Sequence, residues 1–207
     1  MRTHLWAVVG VALAASAIAG QPPAQPGKPA DAKPVELVLE DQFGRRQDLA
    51  ANRGEVVLLV YGDRRANDAC RDLGEKLHVL FHPTAAGQPP AKAKTAPVAP
   101  LPGLPAGARS PDVVVVPVAA VGQVPAAVRE LLRTQIKRAS PDVPVWLDFT
   151  GAMEKQFDQR AGQPNVVLFD AHGRLRFKIN GTPDKPALDQ LLQIAQNLRA
   201  EAARPGK

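Results

Sequence analysis

A chain of 207 residues carrying a formal charge of +6 is long enough to bury one full core without disulfides. Its Lys and Arg residues are scattered apart from Arg45-Arg46 and Arg64-Arg65, and aromatic residues make up 4% of it, which argues against a nucleic-acid surface. One cysteine, Cys70, excludes a disulfide within the chain.

The first 19 residues have the layout of a secretory signal. Arg2 and His4 form a short polar start, Leu5 to Ala15 is apolar, and Ala17-Ile18-Ala19 is an A-x-A cleavage site. The apolar run is too short for a spanning helix, so no stable membrane span is expected after cleavage. No cysteine follows the site to take a lipid anchor. These features place the protein in the periplasm or outside the cell. In that oxidising setting a single thiol is free, bonded to another molecule, or buried.

Residues 20–34 hold Pro22, Pro23, Pro26, Pro29 and Pro34 and read as a mobile, extended linker. A domain over residues 35–203 follows. Val35–Leu39 predicts a strand, Asp41–Gly44 a turn, and Arg45–Leu49 a short return. Val56–Tyr61 is continuously apolar and rich in β-branched residues, the pattern of a central strand covered on both faces. Gly62-Asp63-Arg64-Arg65 breaks that pattern. From Ala66 the apolar spacing becomes helical through Cys70, Leu73 and Leu77 to Phe81.

Residues 83–111 contain eight prolines among Ala, Gly and Lys, and no periodicity survives there. The segment reads as a disordered insertion leaning towards polyproline II, with partner docking as a second use. Val113–Val118 predicts another buried strand, and Pro125 opens a helix carried by Val128, Leu131, Leu132 and Ile136. Val145–Asp148 is a short strand, and Thr150 is an N-cap candidate for a helix through Met153 and Phe157. Val166–Phe169, the turn Asp170–Gly173 and Leu175–Ile179 make a hairpin. A last amphipathic helix carries Leu188, Leu191, Leu192, Ala195 and Leu198. The fold class is α/β, a mixed central sheet flanked by helices.

The stretch VPVWLDFTGAMEKQFDQRAGQPNVVLFDAHGRLRFKINGTPDKPALDQLLQIAQ is similar to the second half of periplasmic thioredoxin-like and redoxin proteins. LEDQFGRRQDLAANRGEVVLLVYGD resembles their N-terminal hairpin and central strand. The resemblance spans Val35–Phe81 and Asp112–Leu198 and implies a thioredoxin-like three-layer sandwich with the Pro-rich segment inserted. It also implies a cis bond before Pro164, beside the place where the family keeps its active cysteines. In the thioredoxin register the Cys-x-x-Cys pair would fall near Arg65 and Asp68, and neither is Cys. In the register of Sco-type copper proteins Ala66 replaces the first cysteine, Cys70 matches the second, and the expected copper-binding His is absent. In the peroxiredoxin register Cys70 lies about one residue late for the peroxidatic Cys.

Cys70 is thus the candidate catalytic residue. It reads either as a thiol activated near a helix N-terminus, with Arg64, Arg65 and Arg71 close in sequence, or as a small buried hydrophobe sharing a face with Leu73 and Leu77. Asp63, Arg64, Arg65, Asn67 and Asp68 form a polar loop where the cysteines would stand, with Asn67 or Asp68 as helix cap. Together with Pro164 they are the candidate binding surface. His78 and His82 stand at i and i+4, but no third ligand has suitable spacing, so a frayed helix end is expected instead of a metal site. The resulting expectation is a periplasmic or secreted binding or scaffold protein without dithiol chemistry. It needs no cofactor, and its partner is an unidentified envelope protein. A one-Cys peroxidase or oxidoreductase using Cys70, and a degenerate Sco-type copper protein, are the alternatives.

Overall fold

The computed structural model describes residues 25–26, 33–104 and 109–204; the signal segment and most of the 20–34 linker lie outside the described residues. In chain order the strands are β1 (Gln25–Pro26), β2 (Val38–Asp41), β3 (Arg46–Asp48), β4 (Val56–Gly62), β5 (Val113–Ala120), β6 (Trp146–Asp148), β7 (Asn165–Phe169) and β8 (Leu175–Asn180). The helices are α1 (Asn67–Phe81), α2 (Pro90–Ala93), α3 (Ala126–Ala139), α4 (Ala152–Phe157) and α5 (Lys185–Ala202).

All eight strands form one sheet in the order β1-β8-β7-β4-β5-β6-β2-β3. β4, β5 and β6 run parallel, joined by helical crossovers, while β7, β8, β2 and β3 pair antiparallel to their neighbours. The sheet is mixed, as expected, because the middle of the chain alternates strand and helix while the hairpins sit near the ends.

Every residue of β4 is buried. Val57, Leu59 and Tyr61 face a core completed by Leu37, Leu39, and Met153 and Phe157 of α4. Val56, Leu58 and Val60 face a second core with Leu77 and Phe81 of α1 and Leu191, Ala195 and Leu198 of α5. Alternation along one strand therefore supplies both layers of packing, and each large side chain contributes about 1.5–3 kcal/mol. Among the described residues no helix is long and apolar enough to cross a membrane.

Two turns reuse one device. Asp41 and Asp170 are both buried, and Oδ1 of each accepts the backbone N–H groups two and four residues on, at 2.9 Å. Gly44 and Gly173 then take φ of 75°, which a side chain would oppose. The first hairpin starts later than the sequence suggests: β2 covers Val38–Asp41, because Val35 N–H already bonds to Gly173 O outside the ladder.

The Pro-rich segment departs from expectation. Its described part is docked, not disordered. Pro83–Ala85 forms a 3₁₀ turn and Pro90–Ala93 a short helix. Ala85 and Leu101 are buried, and Val98 packs on the second core. Backbone order comes from individual hydrogen bonds in place of a periodic ladder: Ala99 N–H donates to Phe81 O at 2.8 Å.

Gly74, inside α1, has nothing within 4 Å of where a Cβ would stand. Gly74→Ala is expected to stabilise the fold by about 0.5–1 kcal/mol, read as a raised urea midpoint, because it restrains the unfolded chain and meets no clash.

Candidate functional site

β4 ends at Gly62, under the first turn of α1. A Cβ at Gly62 would lie 2.7 Å from Cys70 Sγ and 2.8 Å from Ala66 Cβ, so only glycine lets the helix settle this close to the strand. The next residue, Asp63, ties the pole together. Its Oδ1 accepts the N–H groups of Arg65 (2.9 Å) and Ala66 (3.2 Å), capping a 3₁₀ turn over Arg64–Ala66. Its Oδ2 accepts the Gly162 N–H at 2.9 Å, across 99 positions of sequence. The cap is therefore Asp63 and neither Asn67 nor Asp68, because the 3₁₀ turn places the first unpaired N–H groups before α1 begins. Arg64, Arg65, Asn67 and Asp68 are exposed, with Asp68 3.5 Å from Arg71.

The facing loop, 158–164, hangs on Asn165, which is fully buried. Its Oδ1 accepts Arg160 N–H (2.8 Å) and Gly181 N–H (3.2 Å). Its Nδ2 donates towards Gln163 O (2.9 Å), Arg160 O (3.2 Å) and Tyr61 O (3.4 Å). Tyr61, buried beneath, donates its hydroxyl to Phe157 O at 3.2 Å. Pro164 differs from expectation twice: it is buried, and no cis peptide bond occurs among the described residues. The loop is shaped by the Asn165 amide, so the exposed rim belongs to Asp158, Arg160, Ala161 and Gly162 instead of Pro164.

Cys70 is half-buried and packs with the second core. Burial, and then the negative charge of Asp63, push its thiol up to about 11, against a weaker downward pull from the Asn165 N–H. The thiol is held protonated, the opposite of what a nucleophile needs. Iodoacetamide should therefore alkylate the folded protein at neutral pH about a hundredfold more slowly than the urea-unfolded chain, with a rate that climbs until about pH 11. A rate equal to that of the unfolded chain would contradict this environment.

At the other end of α1 the histidines are ordered, not frayed. His82 is buried, stacks on His78 with ring centroids 4.2 Å apart, and bonds to Asp112. Among the described residues no three His, Cys, Asp or Glu side chains gather as a metal site. After β6, Thr150 is not the cap of α4. Asp148, buried, accepts Met153 N–H at 2.8 Å and both the N–H and the hydroxyl of Thr150.

No protein-family model matches the sequence, and no curated protein matches it. Solved structures do. A secreted thiol-disulfide isomerase from Corynebacterium glutamicum superposes with a TM-score of 0.53 and 14% identity, over 90% of this chain and 96% of that one. A DsbF homologue from Corynebacterium diphtheriae gives 0.50 and 13%, over 89% and 99%. At such identities the likeness speaks to architecture alone. Order of elements, sheet topology and these superpositions agree: the chain has the thioredoxin fold and carries it without a Cys-x-x-Cys pair.

Proposed function

We propose that this protein is an extracytoplasmic binding or scaffold protein. It makes its contacts through the pole where thioredoxin-fold enzymes of the isomerase type do their chemistry. The reading rests most on Asp63. One carboxylate caps the turn before α1 and also grips Gly162, so two loops meet as one fixed surface displaying Arg64, Arg65, Asn67, Asp68 and Arg160. A pre-ordered surface loses little entropy on binding, which favours recognition. The secreted location of one structural neighbour and the signal-like first 19 residues support a site outside the cytoplasm. The protonated, packed Cys70 weighs against a one-Cys peroxidase, which needs a thiolate.

A photo-crosslinking amino acid at position 65, compared with one at position 134 on α3, tests the surface in an envelope extract. The reading expects a discrete adduct at 65, none at 134, and loss of the adduct when Asp63→Ala is added. Equal labelling at both positions, or labelling at 65 that survives Asp63→Ala unchanged, would refute it.

A further inference from the structure

A cleft of about 440 Å³ opens beside the start of α3 and shares no residue with the Asp63 pole. It is lined by Gln123, Val124, Pro125, Arg129, Phe149 and Thr150. Arg129 decides what fits there. Its Nε donates to Val124 O at 3.1 Å, and its Cζ stands 5.4 Å from the centroid of the Phe149 ring. Phe149 is buried, so the ring is a fixed platform for the cation. These two restraints hold a half-buried guanidinium in place. Neither of its terminal nitrogens has a hydrogen-bond or ion-pair partner among the described residues.

Arg133 gives the contrast. Its Cζ lies 5.7 Å from the centroid of the same ring, and its terminal nitrogens pair with Glu40 and Glu130. Its Nε is buried and makes no hydrogen bond. This corner therefore holds more donors than acceptors, a balance that buried polar groups ordinarily avoid.

The lining selects the chemistry of an occupant. No acidic side chain lines the cleft, and the Thr150 hydroxyl is already given to Asp148 at 2.8 Å. A cation would be repelled by Arg129, and an uncharged molecule would leave its fork unmet. The open side of a planar guanidinium matches two oxygens of a carboxylate or phosphate group. Val124 and Pro125 add an apolar wall. The volume falls near the lower end of small-molecule sites, roughly 300–1,000 Å³, which is room for one ring and its acid group.

We propose that this cleft binds a small organic oxyanion, a carboxylate or phosphate ester on a compact apolar body, with Arg129 as the recognition residue. The oxyanion takes the two free terminal nitrogens, and the apolar body lies against Val124 and Pro125. The site is independent of the protein-contact surface at the other pole.

NMR titration of the protein with sodium benzoate tests the site, with benzamide as the uncharged isostere. Benzoate should saturably shift the backbone amides between residues 123 and 130 and at 149–150, with a dissociation constant of about 1 mM, and leave those of 63–68 unmoved. Benzamide should bind at least about tenfold more weakly. Phenyl phosphate in place of benzoate separates the two sources of the oxyanion, and the tighter of the two names the acid. Arg129→Gln should abolish saturation. Arg138→Gln, which removes the same charge from the exposed side of α3, should leave binding unchanged. Because Arg129 also rests on Phe149, Arg129→Lys serves as the folded control: it keeps a cation, loses the fork, and should bind about tenfold more weakly at an unchanged urea midpoint. Three results would each overturn the proposal: no saturable shift with either acid, benzamide binding as tightly as the better acid, or Arg129→Gln binding no worse than Arg138→Gln.

Discussion

Replacing Arg199 by Met is expected to destabilise the protein by about 3 kcal/mol and to strip protection from the Pro-rich segment. Arg199 is the largest fully buried side chain, with 0% exposure. Its guanidinium and Nε reach four acceptors: Pro111 O (2.8 Å), Ala99 O (2.6 Å), Ser110 Oγ (2.9 Å) and Gln196 Oε1 (2.9 Å). Two effects oppose each other. Removing a buried cation relieves its desolvation, and burial is what lowers the proton affinity of this guanidinium. Against that, two backbone carbonyls and a hydroxyl lose a charged donor, at about 1–3 kcal/mol apiece where water cannot reach them. Loss of the hydrogen bonds wins, and lifting of the segment to admit water limits its size. Arg199→Lys should recover only part of the loss, because one ammonium cannot span the same fork. A shift within about 0.5 kcal/mol in urea unfolding would show that the segment is not anchored through Arg199.

Asn165→Ala is expected to cost a similar amount, about 3–4 kcal/mol, and to free loop 158–164 while leaving β4 and β5 intact. The amide makes close contacts with five backbone groups from a fully buried position, so its loss removes five interactions at once. Asn165→Asp is sharper because its shape is nearly unchanged. At neutral pH the new carboxylate would face the carbonyls of Tyr61, Arg160 and Gln163 with no proton to share. Its folded-state proton affinity would be raised, so the variant should gain stability as pH falls and lose it as pH rises, opposite to an ordinary paired carboxylate. Thermal unfolding of wild type and both variants across pH gives the answer. The same variants should abolish crosslinking from position 65, since Gly162 meets Asp63 only while the loop is shaped.

Much of the scaffold was legible because its signals are local and repeated. The unbroken apolar run Val56–Tyr61 announces a strand buried on both faces, and the strand–helix alternation after it orders the sheet. What stayed hidden rests on single contacts between distant residues. The Pro-rich segment has no periodicity of its own; its described part is held by His78, Phe81 and Arg199, which stand outside it. Asp63 and Asp148 act as caps from before a 3₁₀ turn or an extra loop residue, so a search at the helix start passes them by. Asn165 looks like a turn residue after proline, and only its neighbours in space reveal a hub. Pro164 drew its expected role from resemblance, and this loop reaches a trans, buried proline by another route. The candidate loop Asp63–Asp68 was legible as an exposed polar lip, but its link to Gly162 was not.

The account depends on a redox scaffold working without a sulfur couple, and insulin reduction tests that most directly. Purified protein with dithiothreitol should precipitate insulin no faster than dithiothreitol alone, and Cys70→Ala should behave identically. Acceleration that scales with protein concentration and disappears in Cys70→Ala would contradict it.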